Sequence, residues 1–137
     1  MQLVGKARSL PIQIEVDAFP NEQEFSALWR SARGPPVPTQ YQRVLSRSLA
    51  HVAAYDSSRL VGFVNVAWDG GAHAFILDTC VHADYRRQGI ATKLVMRAVS
   101  VARERGAHWL HVDFEPHLSE FYRKCGFRHS EAGLIRL

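Results

Sequence analysis

The sequence predicts an α/β (α+β) fold in which helices cover both faces of one mixed, mainly antiparallel sheet with one parallel strand pair. Short turns join three consecutive β-prone runs, which indicates an antiparallel meander. A long amphipathic helix then separates two further β-prone runs, and such a unit normally pairs its strands in parallel through a right-handed crossover. The 137 residues contain no repeat or linker, so we expect a single domain over residues 1–137.

The composition indicates a globular chain with a mild positive charge. Hydrophobic residues make up 47%, charged residues 22%, and the net charge is +4. This charge suits an anionic ligand but is too small to indicate nucleic acid, and there is no apolar run long enough for a membrane span. Residues 1–11 lack a signal-peptide core, so we expect a cytoplasmic protein in which Cys80 and Cys125 are buried thiols.

The N-terminal part of the chain predicts a strand followed by a helix. Residues 12–19 alternate apolar and polar side chains, as a half-buried strand does. Asn21 is the expected helix N-cap, with Glu24 as its capping-box partner. Apolar residues then recur at helical spacing until Gly34, where the helix is expected to end.

A proline-rich joint at residues 34–38 separates this helix from a second short helix predicted at residues 39–48. The two helices and their joint are interpreted either as a lid on the substrate side or as a plain connector. The three strands of the meander are predicted at residues 49–55, 60–68 and 74–82, because turn-forming residues separate these β-prone runs.

The hydrophobic period changes to that of a helix after Gly89. One face of this helix is apolar, the other carries charged residues, and Gly106 is its expected C-terminal stop. A strand at residues 109–114 and a short helix at residues 116–125 follow. Residues 127–137 have room only for a small hairpin.

The segment 86–92 (RRQGIAT) joins a predicted strand to the long helix. The first turn of a helix offers free N–H groups and a partial positive charge, so a pyrophosphate could bind there. Gly89 would let the backbone approach the ligand, and Arg86 and Arg87 could contact phosphate oxygens. An exposed basic turn is the alternative. The segment matches neither a Walker loop nor a Rossmann fingerprint.

Two motifs resemble the GNAT superfamily of acyl-CoA-dependent N-acetyltransferases. Residues 81–91 (VHADYRRQGIA) match V-x-P-x-[YH]-[RQ]-x-x-G-[IV]-[GA], and residues 121–127 (FYRKCGF) match F-Y-x-K-x-G-F. One helix and one strand lie between them, as in the family. The resemblance covers residues 48–137, whereas the first 47 residues match only in the order of helix and strand.

The resemblance implies that acetyl-CoA is the co-substrate. Backbone groups around Val81 would pair with the pantetheine arm, the amides after Arg86 would hold the pyrophosphate, and Tyr122 would protonate the departing thiolate. The implied cofactor-binding residues are Cys80, Val81, His82, Arg86, Arg87, Gln88, Gly89, Ile90, Ala91, Thr92 and Lys124. This chain departs from the family at Ala83, where proline is usual. It also departs at Glu115 and Leu118, where many members carry Asn and Ala, so one contact to the CoA arm is in question.

The implied reaction is direct attack of an amine on the thioester, which requires a base because an ammonium group cannot attack. Asp78 is one candidate, since an ionisable residue within an apolar strand needs a partner or a function. Glu115 is the other leading candidate, and it shares a strand face with His111 and Asp113. The pair His111 and Asp113 could also be taken with His117 as a metal set, but a further ligand would have to be assumed, so we expect no metal.

Three carboxylates would lie near the open end of the parallel pair, namely Asp78, Asp113 and Glu115, and this favours a cationic amine as acceptor. The favoured function is transfer of acetyl from acetyl-CoA to a primary amine of a small molecule or a protein. One alternative is a non-catalytic acyl-CoA-binding regulatory or assembly module, and another, a nucleic-acid binder, lacks the basic–aromatic cluster it would need. We expect neither nucleic acid nor a membrane as partner, and a homodimer could complete the short C-terminal hairpin.

Overall fold

The computed structural model describes residues 11–137, which form one five-stranded sheet in the order β1-β2-β3-β4-β5. Strands β1 to β4 pair antiparallel, while β5 is parallel to β4, as the sequence predicts. The strands are β1 (Gln13–Val16), β2 (Ala50–Asp56), β3 (Arg59–Trp68), β4 (His73–Val81) and β5 (Trp109–His111). The expectation of a cytoplasmic protein is based on residues 1–11, and residues 1–10 lie outside the part of the chain that the structure describes.

The helices cover both faces of the sheet, again as predicted. They are α1 (Glu22–Arg33), α2 (Tyr41–Leu45), α3 (Ile90–Glu104) and α4 (Ser119–Lys124), and short 3-10 turns lie at Ala83–Tyr85 and Pro116–Leu118. Helix α3 packs on one face, while α1 and α2 pack on the other. Within residues 11–137, no helix has the length and apolar character that crossing a membrane requires.

Local signals in the sequence set the ends of the two longer helices. The Asn21 side chain accepts a 2.8 Å hydrogen bond from the Glu24 amide, and Gly34 caps the other end of α1. Helix α3 begins directly after Gly89, whose φ of 78° lies in the left-handed region that favours glycine. Gly106, with φ of 98°, follows the end of α3, as expected.

The main core lies between α3 and the sheet. Helix α3 approaches the sheet most closely at Gly62 of β3. Leu94 of α3 is fully buried there. A Cβ placed on Gly62 would lie 2.9 Å from Leu94 Cδ1 and 3.2 Å from Ile90 Cγ2. Only glycine therefore allows α3 to pack this closely on β3. The start of α3, where the predicted anion loop lies, is positioned by this contact.

The β1 edge of the sheet is closed by a polar network around His51, which is 1% exposed. The His51 Nε2 accepts a 2.8 Å hydrogen bond from the Phe19 amide, and the His51 amide donates to Asp17 Oδ1 at 3.1 Å. Arg105, just after α3, pairs with Asp17 Oδ2 at 2.7 Å. The predicted strand 12–19 is therefore shorter than expected, because Asp17 and Phe19 take positive φ values to enter this network.

The β5 edge is short and open. The strand predicted at residues 109–114 ends at His111, although Leu110, Val112 and Phe114 still point inward as the alternation indicates. The hairpin predicted at residues 127–137 is wrong, since this segment contains no strand. Phe127 packs against the core, but Leu134 at 83% and Ile135 at 86% are highly exposed, so the end of the segment buries little apolar surface that could stabilise a hairpin.

A bulge in β4 changes which face its side chains occupy. Phe63 pairs with Cys80 but Asn65 pairs with Leu77, so β4 has one residue more than β3 in this interval. Asp78 has a φ of 59° there. Ala74 and Ile76 contact the α3 side, whereas Cys80 contacts the α1 side. The regular period of two that the sequence suggests for β4 is therefore interrupted at Asp78.

Candidate active site

A groove opens where β4 and β5 part. The parallel pairing has three steps, from His73 opposite Trp109 to Phe75 opposite His111. From Ile76 to Val81, β4 has no strand partner on the β5 side within residues 11–137, and this stretch lies along an open groove. Backbone groups of such a free edge can bind an extended ligand as an added strand.

The free edge leads into a loop that is shaped to hold an anion. Arg87 and Gly89 both have positive φ, at 62° and 78°. Residues in the left-handed region alternate here with residues outside it, and successive N–H groups of such a backbone can converge on an anion. Helix α3 follows with no side-chain cap and no acidic residue in its first turn. The first amides of α3, those of Ile90, Ala91 and Thr92, therefore remain available for a phosphate.

Two neighbouring segments support this loop, namely the turn between β2 and β3 and the C-terminal end of α1. Tyr85 donates a 2.5 Å hydrogen bond to Asp56 Oδ2, and Arg59 Nη2 lies 3.1 Å from His82 Nε2. Arg86 donates to the Ala32 carbonyl at 3.0 Å. Arg86 is thus engaged with α1, although both Arg86 and Arg87 are exposed.

Tyr122 of α4 lies against the groove and is 6% exposed. Phe114 stacks on its ring at a centroid distance of 4.8 Å. Burial raises the pKa of the Tyr122 phenol, while the nearby Thr79 side chain opposes this shift. Thr79 Oγ1 makes no hydrogen bond of normal geometry within the described chain and is buried. Tyr122 therefore keeps its proton at neutral pH beside a polar atom that lacks a partner.

Asp78 lies across the same groove, on the α1 and α2 side of the sheet. Tyr41 of α2 donates a 2.6 Å hydrogen bond to Asp78 Oδ2. Arg33, at the end of α1, donates to the Thr79 carbonyl at 2.8 Å, and its charge is close enough to Cys80 to affect the pKa of that thiol. Burial raises the Cys80 pKa to about 12, so the thiol stays neutral.

The other predicted acid–base residues are more exposed. Glu115 is exposed and precedes the turn at Pro116 without capping it through its side chain. Asp113 also lines the groove and is exposed. His111 Nε2 lies 2.8 Å from His73 Nδ1, so it pairs with another histidine rather than with Asp113. Across residues 11–137 no three metal-binding side chains are grouped.

Most of the predicted cofactor residues line the groove or belong to its loop, whereas Lys124 of α4 does neither, and their side chains differ in exposure. Cys80 is buried on the α1 side, and Val81 packs against the α3 core. Gln88 of the loop and Lys124 of α4 are exposed. Cys80 and Val81 would therefore meet a ligand through backbone atoms, whereas Gln88 and Lys124 could use side chains.

Three residues of the site were missed by the sequence reasoning: Tyr41, Thr79 and Arg33. Tyr41 and Arg33 belong to the weakly matched first 47 residues, and Tyr41 has the same helical spacing as an ordinary core residue. Thr79 reaches the Tyr122 side of the sheet because of the bulge. Thr79 could have been found from the sequence because it is a polar residue within an apolar strand, but only Asp78 was chosen on that ground.

Comparisons with known proteins agree with this geometry. A family model described as the acetyltransferase (GNAT) family matches residues 13–127. Mycothiol acetyltransferase of Mycolicibacterium vanbaalenii is 33% identical over 82 residues, covering 59% of this chain and 27% of that protein. Rice glucosamine 6-phosphate N-acetyltransferase 1 is 37% identical over 57 residues, covering 42% and 34%. The matches to these two relatives thus span about a third or less of each relative's length.

A solved GNAT-family acetyltransferase of Streptococcus pneumoniae TIGR4 has the same fold. Its TM-score is 0.79 at 25% identity, over 93% of this chain and 98% of that chain. The family match extends from β1 to the last residue of the second motif and includes the strand, loop and helix that form the groove. The chain therefore belongs to the acetyltransferase (GNAT) family.

Proposed function

We propose that the protein is an acetyl-CoA-dependent N-acetyltransferase that acetylates a primary amine. The observation that carries this proposal is the continuous path from the free edge of β4, Ile76 to Val81, into the uncapped start of α3. An extended arm that ends in a pyrophosphate has the shape and charge to fit both parts. The buried Thr79 oxygen, which lacks a partner in the described chain, adds a polar contact at the reactive end.

Different residues of the groove would act as the general base and as the general acid. When bound, acetyl-CoA supplies the thioester that the amine attacks. Asp78 or Glu115 would take the proton that the acceptor ammonium must lose, and Tyr122 would hold the proton needed by the departing sulfur. The raised pKa of Tyr122 supports this role, since the phenol remains protonated at neutral pH.

The acceptor proposed is a cationic primary amine, because Asp78, Asp113 and Glu115 all line the groove. The names of the two relatives above, mycothiol acetyltransferase and glucosamine 6-phosphate N-acetyltransferase, describe acetyl transfer by those proteins. The proposal takes residues 1–137 as one domain acting in the cytoplasm, with neither nucleic acid nor a membrane as partner.

An acceptor screen tests the proposal. Thiol release from acetyl-CoA would be followed with amino sugars, polyamines, lysine and short peptides, alongside calorimetric titration with acetyl-CoA. We expect saturable acetyl-CoA binding and acceptor-dependent thiol release with at least one cationic amine. Tight binding without turnover across the panel would favour a non-catalytic acyl-CoA-binding module instead. Turnover with neutral or anionic acceptors alone would contradict the proposed acceptor class.

A further inference from the structure

We propose that Tyr41 is a positioning residue that holds Asp78 as the group that accepts the proton of the acceptor amine. This inference rests on the proposed function, and it selects Asp78 over Glu115. It also gives α2 a role in the reaction, although α2 lies outside both sequence motifs.

The side chain of Tyr41 is held rigidly by its neighbours. Its side chain is 7% exposed, and its ring stacks on Phe25 at 4.3 Å between centroids. Phe63 of β3 packs edge-on against the same ring at 5.9 Å. A ring held on two sides leaves its hydroxyl at a fixed point, and that point is 2.6 Å from Asp78 Oδ2. A preorganised donor of this kind orients a carboxylate before any ligand binds.

The geometry of Asp78 leaves one of its two carboxylate oxygens open to the groove. The bulge places its side chain on the Tyr41 side of β4 while the residue still lines the groove. Within residues 11–137, Tyr41 is the hydrogen-bond partner of Oδ2, and Oδ1 makes no hydrogen bond. One oxygen is therefore anchored, and the other is free to meet an amine. Glu115 is exposed and unanchored, so ordering it for catalysis would cost side-chain entropy.

The charged and titratable groups around the pair suit this assignment. Arg33 of α1 acts on Tyr41 electrostatically, as does Cys80 of β4. Burial raises the pKa of Tyr41 above its ordinary value, and the hydrogen bond to Asp78 raises it further. Tyr41 therefore remains protonated throughout the working pH range and can only donate to the carboxylate in this contact.

The proton moves from the acceptor ammonium to Asp78. An N–H bond of the acceptor ammonium breaks, and an O–H bond forms at Asp78 Oδ1. The electron pair of the broken bond stays on nitrogen, which becomes the neutral nucleophile. Tyr41 keeps its own proton and its bond to Oδ2, and Asp78 returns the proton to solvent through the open groove.

Steady-state kinetics of Tyr41→Phe, Asp78→Asn and the double variant test the inference. Tyr41→Phe preserves the stacking on Phe25 and removes only the hydroxyl. We expect kcat to fall roughly tenfold in Tyr41→Phe and about a hundredfold in Asp78→Asn, with the Kd for acetyl-CoA unchanged. The double variant should be no slower than Asp78→Asn alone, because Tyr41 acts only through Asp78. Glu115→Gln should lower kcat much less than Asp78→Asn does, because Glu115 would act on the charge of the acceptor and not on its proton.

Tyr55→Phe is the matched control, since Tyr55 packs against the same cluster on the α1 side but does not bind Asp78. A lower melting temperature in Tyr41→Phe with wild-type kcat would show a purely structural role and overturn the inference. Losses that multiply in the double variant would also overturn it. A wild-type protein without acceptor-dependent thiol release would refute the proposed function and this inference with it, which is a distinguishable result.

Discussion

The two edges of the sheet are built in opposite ways. At the β1 edge, four residue pairs join β1 to β2, and the polar groups of His51 and Asp17 meet partners. At the β5 edge, three pairs join β5 to β4, Trp109 is 57% exposed, and Thr79 Oγ1 lacks a partner within the described residues. Satisfied polar groups stabilise a fold, while unsatisfied ones are available to a ligand.

Stability and binding are therefore separated across one sheet. The longest helix contacts both regions: its C-terminal end reaches the β1 edge through Arg105, and its start faces the groove at Gly89. Substitutions at the closed edge should therefore change the free energy of unfolding, and those at the open edge should change turnover or affinity.

The largest effect is expected at the open edge, in Tyr122→Phe. Removal of the proposed proton donor should lower kcat about a hundredfold, since general acid catalysis contributes at least that much in typical enzymes. The Kd for acetyl-CoA and the melting temperature should stay close to wild type. Burst and steady-state measurements of thiol release would test this, with Tyr55→Phe as control. An unchanged kcat would remove Tyr122 from the proposed mechanism.

The next largest effect is expected at the closed edge. Asp17→Ala should lower the free energy of unfolding by about 1–2 kcal/mol, because it leaves the His51 amide without its acceptor and removes the ion-pair partner of Arg105. Asp113→Ala at the open edge should stay within about 0.5 kcal/mol of wild type.

Urea unfolding of both variants would compare the edges directly. Asp17→Asn is a useful control, because asparagine tolerates the positive φ of 56° and keeps one side-chain oxygen. Equal losses in Asp17→Ala and Asp113→Ala would contradict the separation of roles.

A smaller effect is expected in the anion loop. Arg87→Ala should raise the Kd for acetyl-CoA by about threefold to tenfold at low salt, and the difference should shrink at high salt because exposed charges are screened. Arg43→Ala on α2 removes an equal charge outside the loop and should leave the Kd unchanged. Calorimetry at two salt concentrations would measure both. An Arg87 effect that does not depend on salt would argue against a phosphate contact.

The smallest effect is a pH dependence at the closed edge. Burial lowers the pKa of His51, Asp17 opposes this shift, and Arg105 adds to it. The unfolded chain takes up this proton near pH 6.5, while native His51 stays neutral to a lower pH. The unfolded state therefore binds more protons as the pH falls below about 6.5, so stability is lost in that range.

Urea midpoints between about pH 7.5 and pH 5.5 would show this loss. His51→Gln should have a flatter dependence on pH, because the titrating group is gone. His129→Gln, at an exposed position, should keep the wild-type slope. A slope that is identical in His51→Gln and wild type would assign the pH dependence to other groups.

The fold could be predicted from the sequence where local patterns and tertiary structure agree. The Asn21 cap, the apolar face of α3 and the turns between β2, β3 and β4 are all local signals, and the structure confirms them. The parallel pairing of β4 and β5 followed from the helix between them. The predicted anion-binding loop before Ile90 was also a local signal, because each of the two family motifs is continuous in the chain.

The misses concern features that depend on distant partners. The bulge at Asp78 adds one residue relative to β3, and no local pattern shows which residue that will be. Tyr41 reaches Asp78 across 37 positions of sequence, so its role emerges only when α2 packs on the sheet. The hairpin at residues 127–137 was predicted from a turn signal alone, and the structure gives it no strand.

The bulge divides β4 into two parts that protein engineering could change separately. Deleting Asp78 would restore the regular pairing, with Thr79 opposite Val64, so Thr79 would keep its side of the sheet while the carboxylate beside Tyr41 would be lost. The portion before the bulge, which holds Ala74 and Ile76 in the core, would keep its pairing. A designer could therefore exchange residues 78–81 as a cassette and change the chemistry of the groove while retaining the scaffold.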